Sequence, residues 1–343
     1  EYHHMEEFRR GGDLLNRPPH EANVAEQTEH SINGGGLKFD YFSPNENHRF
    51  NVFASAQHIN RDSYYGPGDR DPLDAYGNTT DLNWMAGSQY VYSFGKCIFM
   101  PSDLTAGIEF NQDKLEDNMW GYNRTVDQKV NIGSAFLQNE WKNDHWGFLI
   151  GGRLDKHNLI DHVIFSPRAN LRYNPTENIN LRFSYSSGFR APQAFDEDLH
   201  VENVGGNVAM VELADNLKEE RSQSLSASAD IYHRFGAFQV NFLVEGFYTK
   251  LSDVFALTDG EVVDGILTRT RHNASGAQVL GLTLEGKMAY LNKIQVQAGV
   301  TLQQSHYSKP HIWNKEAPAV KKMMRTPNTY GYFTATDRKS TRL

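Results

Sequence analysis

Cysteine is almost absent from this chain: Cys97 stands alone among 343 residues, so no internal disulfide can form, and a lone thiol says little about compartment. Also missing is any run of about eighteen apolar residues, which excludes a membrane-crossing helix. Helix-period segments are scarce. Basic charge is in deficit, with 34 Lys and Arg against 42 Asp and Glu and a formal net charge of −8. No basic stripe exists, so nucleic acid is set aside as a partner. Catalytic signatures are lacking too: there is no Gly-x-Ser-x-Gly, no His-Glu-x-x-His and no Walker loop, and the chain reads as a non-enzyme. The glycine run Gly34-Gly35-Gly36 has no helix after it, so it reads as a bulge or kink and not as a phosphate cradle. No secretory leader opens the sequence.

What is present is alternation. Ile179, Leu181, Phe183 and Tyr185 share one face of a segment whose other face holds Asn178, Asn180, Arg182, Ser184 and Ser186. Phe238, Val240, Phe242, Val244 and Tyr248 oppose Gln239, Asn241 and Glu245. Leu225, Ala227, Ala229 and Ile231 oppose Ser224, Ser226, Ser228 and Asp230. Period two repeated through hairpin after hairpin is the mark of strands with one apolar and one polar face. A soluble sandwich alternates as well, but its strands average about 5–6 residues. These segments run to the roughly 9–11 residues that cross a bilayer as a tilted strand. The negative mean hydropathy fits, because only alternate residues of a membrane barrel meet lipid.

The turns sort into two kinds. Ser43–His48, Lys142–His145, Asn174–Asn178, Arg234–Ala237 and Leu291–Lys293 are short and polar, and aromatic residues flank them: Tyr41, Phe50, Trp141, Trp146, Tyr173, Tyr232, Phe238 and Tyr290. Between them lie long connections at about 61–79, 112–128, 188–217, 252–267 and 308–325. Short turns on one rim, long loops on the other and a ring of aromatics describe a transmembrane β-barrel. The spacing predicts about thirteen strands: 21–42, 49–61, 80–94, 103–112, 129–141, 145–156, 162–173, 178–187, 218–233, 238–251, 268–290, 294–307 and 326–336. Residues before 21 read as a long-side loop. The fold class is therefore all-β, an antiparallel up-and-down transmembrane barrel, and an incomplete one, because single-chain barrels have even strand counts and cannot leave edges open in lipid. Residues 1–336 are read as a partial barrel domain. The basic tail 337–343, DRKSTRL, reads as non-native or disordered.

Two stretches bracket the longest loop. Gly188-Phe189-Arg190-Ala191-Pro192 leaves one alternating strand, and Asn216-Leu217-Lys218-Glu219 enters the next. Gly188 relaxes the backbone, Pro192 ends the ladder, and Arg190 offers a planar donor fork for a carboxylate or backbone carbonyls, a role that anchors the loop base. With Phe136–Lys142 (FLQNEWK) and Gly151–Asp155 (GGRLD), these stretches resemble the TonB-dependent receptors of Gram-negative outer membranes. The first motif is complete. The second lacks both of the family's prolines.

The resemblance covers residues 20–336. It implies a 22-stranded barrel enclosing a plug domain, with long outer loops that capture ferric siderophore, haem or cobalamin. An energising TonB-type partner would act through the plug, which this stretch of sequence does not contain. Outer-membrane lipid and a metal chelate are the expected partners, with a surface lipoprotein as a further one. No resident cofactor is expected. The cargo-facing candidates are Tyr64, Tyr65, Trp120 and Tyr122, whose rings suit flat ligands, and His200, which lies where haem receptors of the family place an axial ligand. Loop self-packing is the plainer reading of the aromatics, and a solvated loop side chain that of His200. Asp196, Glu197 and Asp198 could hold Ca²⁺ through oxygen ligands but lack EF-hand spacing. Competing readings are a passive porin, which would show opposed charge ladders, and a glycan importer.

Overall fold

The computed structural model describes residues 1–67, 71–204, 207–263, 265–291, 293–312, 318–324 and 326–337. Its main feature is one antiparallel sheet of 15 strands, each paired with its neighbour in the chain except where long loops intervene. The first nine are β1 (Tyr2–Gly12), β2 (Val24–Phe42), β3 (His48–Pro67), β4 (Tyr76–Cys97), β5 (Met100–Met119), β6 (Arg124–Lys142), β7 (Trp146–His157), β8 (Ile164–Thr176) and β9 (Ile179–Arg190). Helix α1 (Asp196–Leu199), β10 (Glu202–Val204) and β11 (Asn207–Leu213) follow within the longest loop. Then come β12 (Glu220–Phe235), β13 (Phe238–Ser252), β14 (Phe255–Val263), β15 (Ile266–Asn273), β16 (Ala277–Tyr290), β17 (Ile294–His311), β18 (Val320–Lys322) and β19 (Thr329–Asp337). Strands β18 and β19 pair end to end along β17. The sheet does not close on itself among the described residues: β1 pairs only with β2, and the far edge is β18 and β19.

Register shows why the strands alternate. Phe148, Leu171, Phe183, Ala227, Gly246, Leu282 and Leu302 lie side by side across seven strands without a charge. One residue further along, the row on the opposite face reads Gly147, Arg172, Arg182, Ser228, Glu245, Thr283 and Thr301. The protein is inside-out by the standard of a soluble fold. Leu37 is 79% exposed and Ile150 62%, whereas Asp117 is 1% exposed and Asp155 3%. Large apolar side chains left in the open on one continuous face need a non-aqueous neighbour. At the short-turn end the rings form a belt: Trp146 stacks on Tyr173 at 4.1 Å, Phe99 on Trp141 at 5.5 Å, and Phe238 packs against Tyr290 at 4.9 Å. Such rings suit the level of the lipid headgroups.

The structure departs from the sequence reading in several places, most often toward more strand. Residues 2–12, expected as loop, form β1 and pair with Ala25–Gly35. The stretch YHHMEEFRRGG has no apolar alternation to betray it, since most of it rises beyond the apolar band. The connections expected at 61–79 and 112–128 are mostly ladder: β3 to β6 run 19 to 22 residues each, about twice what a bilayer crossing needs. They stand above the apolar band as ribbons, closed by one-turn 3-10 helices at Pro72–Ala75 and Trp120–Tyr122. A further short turn, at Ile98-Phe99, was hidden by its apolar residues; Ile98 takes a φ of 64° there. The expected strand 268–290 is two, β15 and β16, and they belong to different sheets. The tail reading falls mostly on 338–343, which lie outside the described residues.

Candidate functional site

The long-loop end holds nearly all of the buried apolar side chains, because only there do loops fold back on something. The two longest loops make a second sheet of 4 strands, in the order β10, β11, β15, β14. Its centre is a parallel pair, Val208↔Ile266 through Leu213↔Arg271. Parallel pairing joins the 191–219 and 253–276 connections into one body, which a hydrophobicity pattern cannot reveal. Beneath it, Tyr64, Tyr65, Ala75, Met119, Tyr122, Val201 and Met210 pack with Ala22 and Ala25 into a core between ribbon tips and loop sheet. Gly121 is required at its tip, since a Cβ there would overlap the carbonyl of Asp74.

The aromatic candidates separate accordingly. Tyr64, Tyr65 and Tyr122, expected to face cargo, are buried. Tyr122 donates its hydroxyl to the carbonyl of Tyr65, and Tyr64 meets Tyr76 edge-on at 4.8 Å. Their rings, with Met119, Val201 and Met210, fill the space between the ribbon tips and the loop sheet. Trp120 is 68% exposed at the tip of the β5–β6 hairpin. His200 is exposed beside them, edge-on to Tyr65 at 5.2 Å, with Nδ1 3.6 Å from a Glu26 carboxylate oxygen. No group of three His, Cys, Asp or Glu side chains able to hold a metal exists among the described residues. The side chains of Asp196 and Glu197 lie outside the described set, and Asp198 is buried and ion-paired with Arg271.

A charged cluster locks the longest loop onto the ribbons. Asp117 of β5 takes 2.8 Å from Arg124 Nη2 and accepts the Thr79 hydroxyl at 2.6 Å. Thr79 Oγ1 in turn accepts from Arg61 Nη2 at 3.0 Å. The same Arg124 nitrogen donates to the Leu199 carbonyl at 2.7 Å, and Gln128 exchanges two hydrogen bonds with the backbone of Ala194. Asp117, Arg124 and Arg61 are all nearly inaccessible to solvent. Nothing in the sequence marks these residues, since their pairing depends on register across four strands.

The motif residues sit at the root of the loop sheet. Strand β9 runs through Gly188 and Phe189 to Arg190 and stops there, with Ala191 buried against Ile160 and Ile164 and Pro192 half-buried. Gly188 is still within the ladder, opposite Ser222, so the chain leaves the sheet later than its glycine suggests. The Arg190 guanidinium lies 4.0 Å from the ring centre of Phe195 and 5.6 Å from that of Phe255, one ring from each long loop. Arg271 approaches the same two rings and pairs with Asp198. A cation shared between two rings ties both loops to the strand beneath. On the entering side Asn216 and Lys218 are exposed and Leu217 half-buried. The Asn273 side chain staples them, accepting from Lys218 N at 2.7 Å and donating to the carbonyls of Lys218 and Asp253.

Glu219 completes this base. Burial pushes its carboxyl up, but hydrogen bonds from Arg221, aided by His162, more than reverse this and hold it below the usual carboxylate range. A carboxyl lowered on folding stabilises the folded state above its unfolded pKa, and the benefit is lost as pH falls through the folded value. Glu219→Gln is therefore expected to loosen the loop base at neutral pH, with the gap from wild type closing as pH drops below the carboxylate range. Proteolysis of the 191–219 loop at several pH values measures this; a gap independent of pH contradicts it.

A sheet with one lipid-directed face, aromatic rings at the short-turn rim and a roofed opposite rim defines an outer-membrane barrel of the receptor kind. The family model described as TonB dependent receptor-like, beta-barrel matches residues 8–341, and this chain belongs to that family, in the outer membrane of a Gram-negative cell. Sequence comparison with curated proteins finds no match. Among solved structures, the siderophore receptor PirA from Pseudomonas aeruginosa is 13% identical with a TM-score of 0.64, covering 91% of this chain and 64% of that one. The FrpB iron transporter from Neisseria meningitidis (F5-1 variant) is 15% identical with a TM-score of 0.62, covering 89% and 50%. A double mutant of the Serratia marcescens hemophore receptor HasR, in complex with its hemophore HasA and heme, is 14% identical with a TM-score of 0.65, covering 83% and 51%. At such identities the likeness is one of fold. The chain spans between half and two thirds of the length of these three proteins.

Proposed function

We propose that this chain forms the wall and outer capture loops of a receptor that imports a scarce metal chelate, a ferric siderophore, haem or cobalamin, by energised transport through a TonB-type complex. The observation that carries the reading is the interlocked loop sheet over the long-loop rim, within a family match that spans nearly the whole chain. A mouth covered by joined loops suits capture of one ligand better than free diffusion of many. Siderophore, iron and heme appear in the names of structurally similar proteins, which favours the iron chelates.

Trp120 and His200 are the cargo-facing side chains in this reading, and Tyr64, Tyr65 and Tyr122 hold the platform that presents them. Titration of the whole parent receptor with haem, ferric siderophores and cobalamin should give one saturating response; flat responses to all three classes would sink the proposal. Trp120→Ala should weaken the bound cargo about tenfold or more, as exposed aromatic anchors do. His200→Ala should change affinity only where the cargo is haem, and an unaltered haem affinity removes it as a ligand.

A further inference from the structure

Charges on the polar face are mostly matched. Arg153 pairs with Glu109 at 2.6 Å and Asp155 at 2.8 Å, and Lys142 with Asp103 at 2.8 Å. Arg172 of β8 and Arg182 of β9 are different: neither has a carboxylate in ion-pair reach among the described residues, and they stand directly opposite one another in the ladder. Like charges in that relation destabilise a sheet. Both are held from below, Arg172 Nη2 donating to the Asn143 carbonyl at 2.8 Å and Arg182 Nε to Asn180 Oδ1 at 2.7 Å. The Nε of Arg172 is buried and has no acceptor among the described residues. A cavity of about 480 Å³ opens on the pair, with the hydroxyls of Ser184, Ser226 and Ser228 on its wall.

Three carboxylates share that cavity, and none lies within ion-pair distance of either guanidinium among the described residues. Glu140 is 3.7 Å from Lys142, and Asp230 accepts from Tyr232 and Asn241. Glu245 lies in the same row as Arg182 but on the far side of Ser228. Two strand spacings put it roughly 10 Å away.

We propose that Arg172 and Arg182, with the serine hydroxyls beside them, form an oxyanion-binding step on the inner wall near the short-turn end of the bore. The ligand chemistry is a carboxylate, phosphate or similar oxygen-rich anion, which two guanidinium forks grip in a planar, multidentate way. Its source is either an anionic small molecule on its way through or acidic side chains of a protein segment occupying the bore. The inference rests on the reading of this face as a bore wall, and not on which cargo the outer loops take.

The test uses the whole receptor in detergent, with citrate and inorganic phosphate as probes. Calorimetric titration at low salt should show saturable uptake, weakened about tenfold or more in R172Q/R182Q, as charge-assisted forks are lost. R172K/R182K should retain part of it, and R17Q, on an outer loop, all of it. If wild type takes up neither probe but R172Q/R182Q lowers the melting temperature and exposes new internal protease sites, the anion is the protein's own carboxylate and the site stands. No uptake, with melting and cleavage unaltered in the double variant, overturns the proposal. Outer-loop cargo binding is measured separately, so loss of either reading leaves the other intact.

Discussion

Placing one arginine at Phe183 should cripple membrane assembly, while the same arginine at Ser184 should be tolerated. The two positions are adjacent in β9, so strand propensity, synthesis and export are matched. Phe183 belongs to the apolar row that runs from Phe148 to Leu302, midway along a short strand of 12 residues. Ser184 faces the other way and hydrogen-bonds Ser226 at 2.7 Å. A charge directed into the middle of a bilayer costs about 2–4 kcal/mol in a barrel, and one directed into a wet lumen costs little. Phe183→Arg should fold at a small fraction of the wild-type yield in a urea-to-vesicle refolding assay, and Ser184→Arg at a yield near it. Equal losses for both would mean that the two faces are not lipid and water.

The second large effect is expected at Asp117. Asp117→Ala leaves Arg61 and Arg124 buried without their shared carboxylate, and breaking a buried pair in this one-sided way costs about 3–5 kcal/mol. The loss should be local. Arg124 also holds the Leu199 carbonyl, so the consequence is release of the longest loop and not collapse of the barrel. Protease cleavage within 191–219 should rise steeply while the apolar-band strands stay protected. If Asp117→Ala leaves loop cleavage unchanged, the cluster is not the latch described here.

How much of this was legible in the sequence depends on what kind of contact each feature uses. The membrane strands were, because a bilayer imposes period two on every strand that crosses it, and Ile179–Tyr185 or Phe238–Tyr248 can obey no other rule. The sorting of turns into a short and a long rim was legible for the same reason. The ribbons above the bilayer were not: β1 and the upper halves of β3 to β6 have water on one side and loops on the other, so nothing enforces alternation there. The loop sheet was invisible, since β11 and β15 are separated by two membrane crossings and meet in parallel. Trp120 and His200 are exposed at the long-loop rim. The burial of Tyr64, Tyr65 and Tyr122 follows from hairpins packing tip against tip, which no local pattern encodes. The facing of Arg172 and Arg182 needed the register across an irregular turn, where the ladder shifts between Tyr173 and Thr176.

The measurement closest to the central claim reads both faces of one strand at once. In a receptor carrying Cys97→Ser, single cysteines at Asn180, Leu181, Phe183, Ser184, Tyr185 and Ser186 can each take a nitroxide label after reconstitution into vesicles. The account predicts that labels at 181, 183 and 185 relax with oxygen dissolved in the bilayer, and labels at 180, 184 and 186 with a water-soluble nickel chelate. Uniform accessibility along the strand, or the reverse alternation, would contradict it.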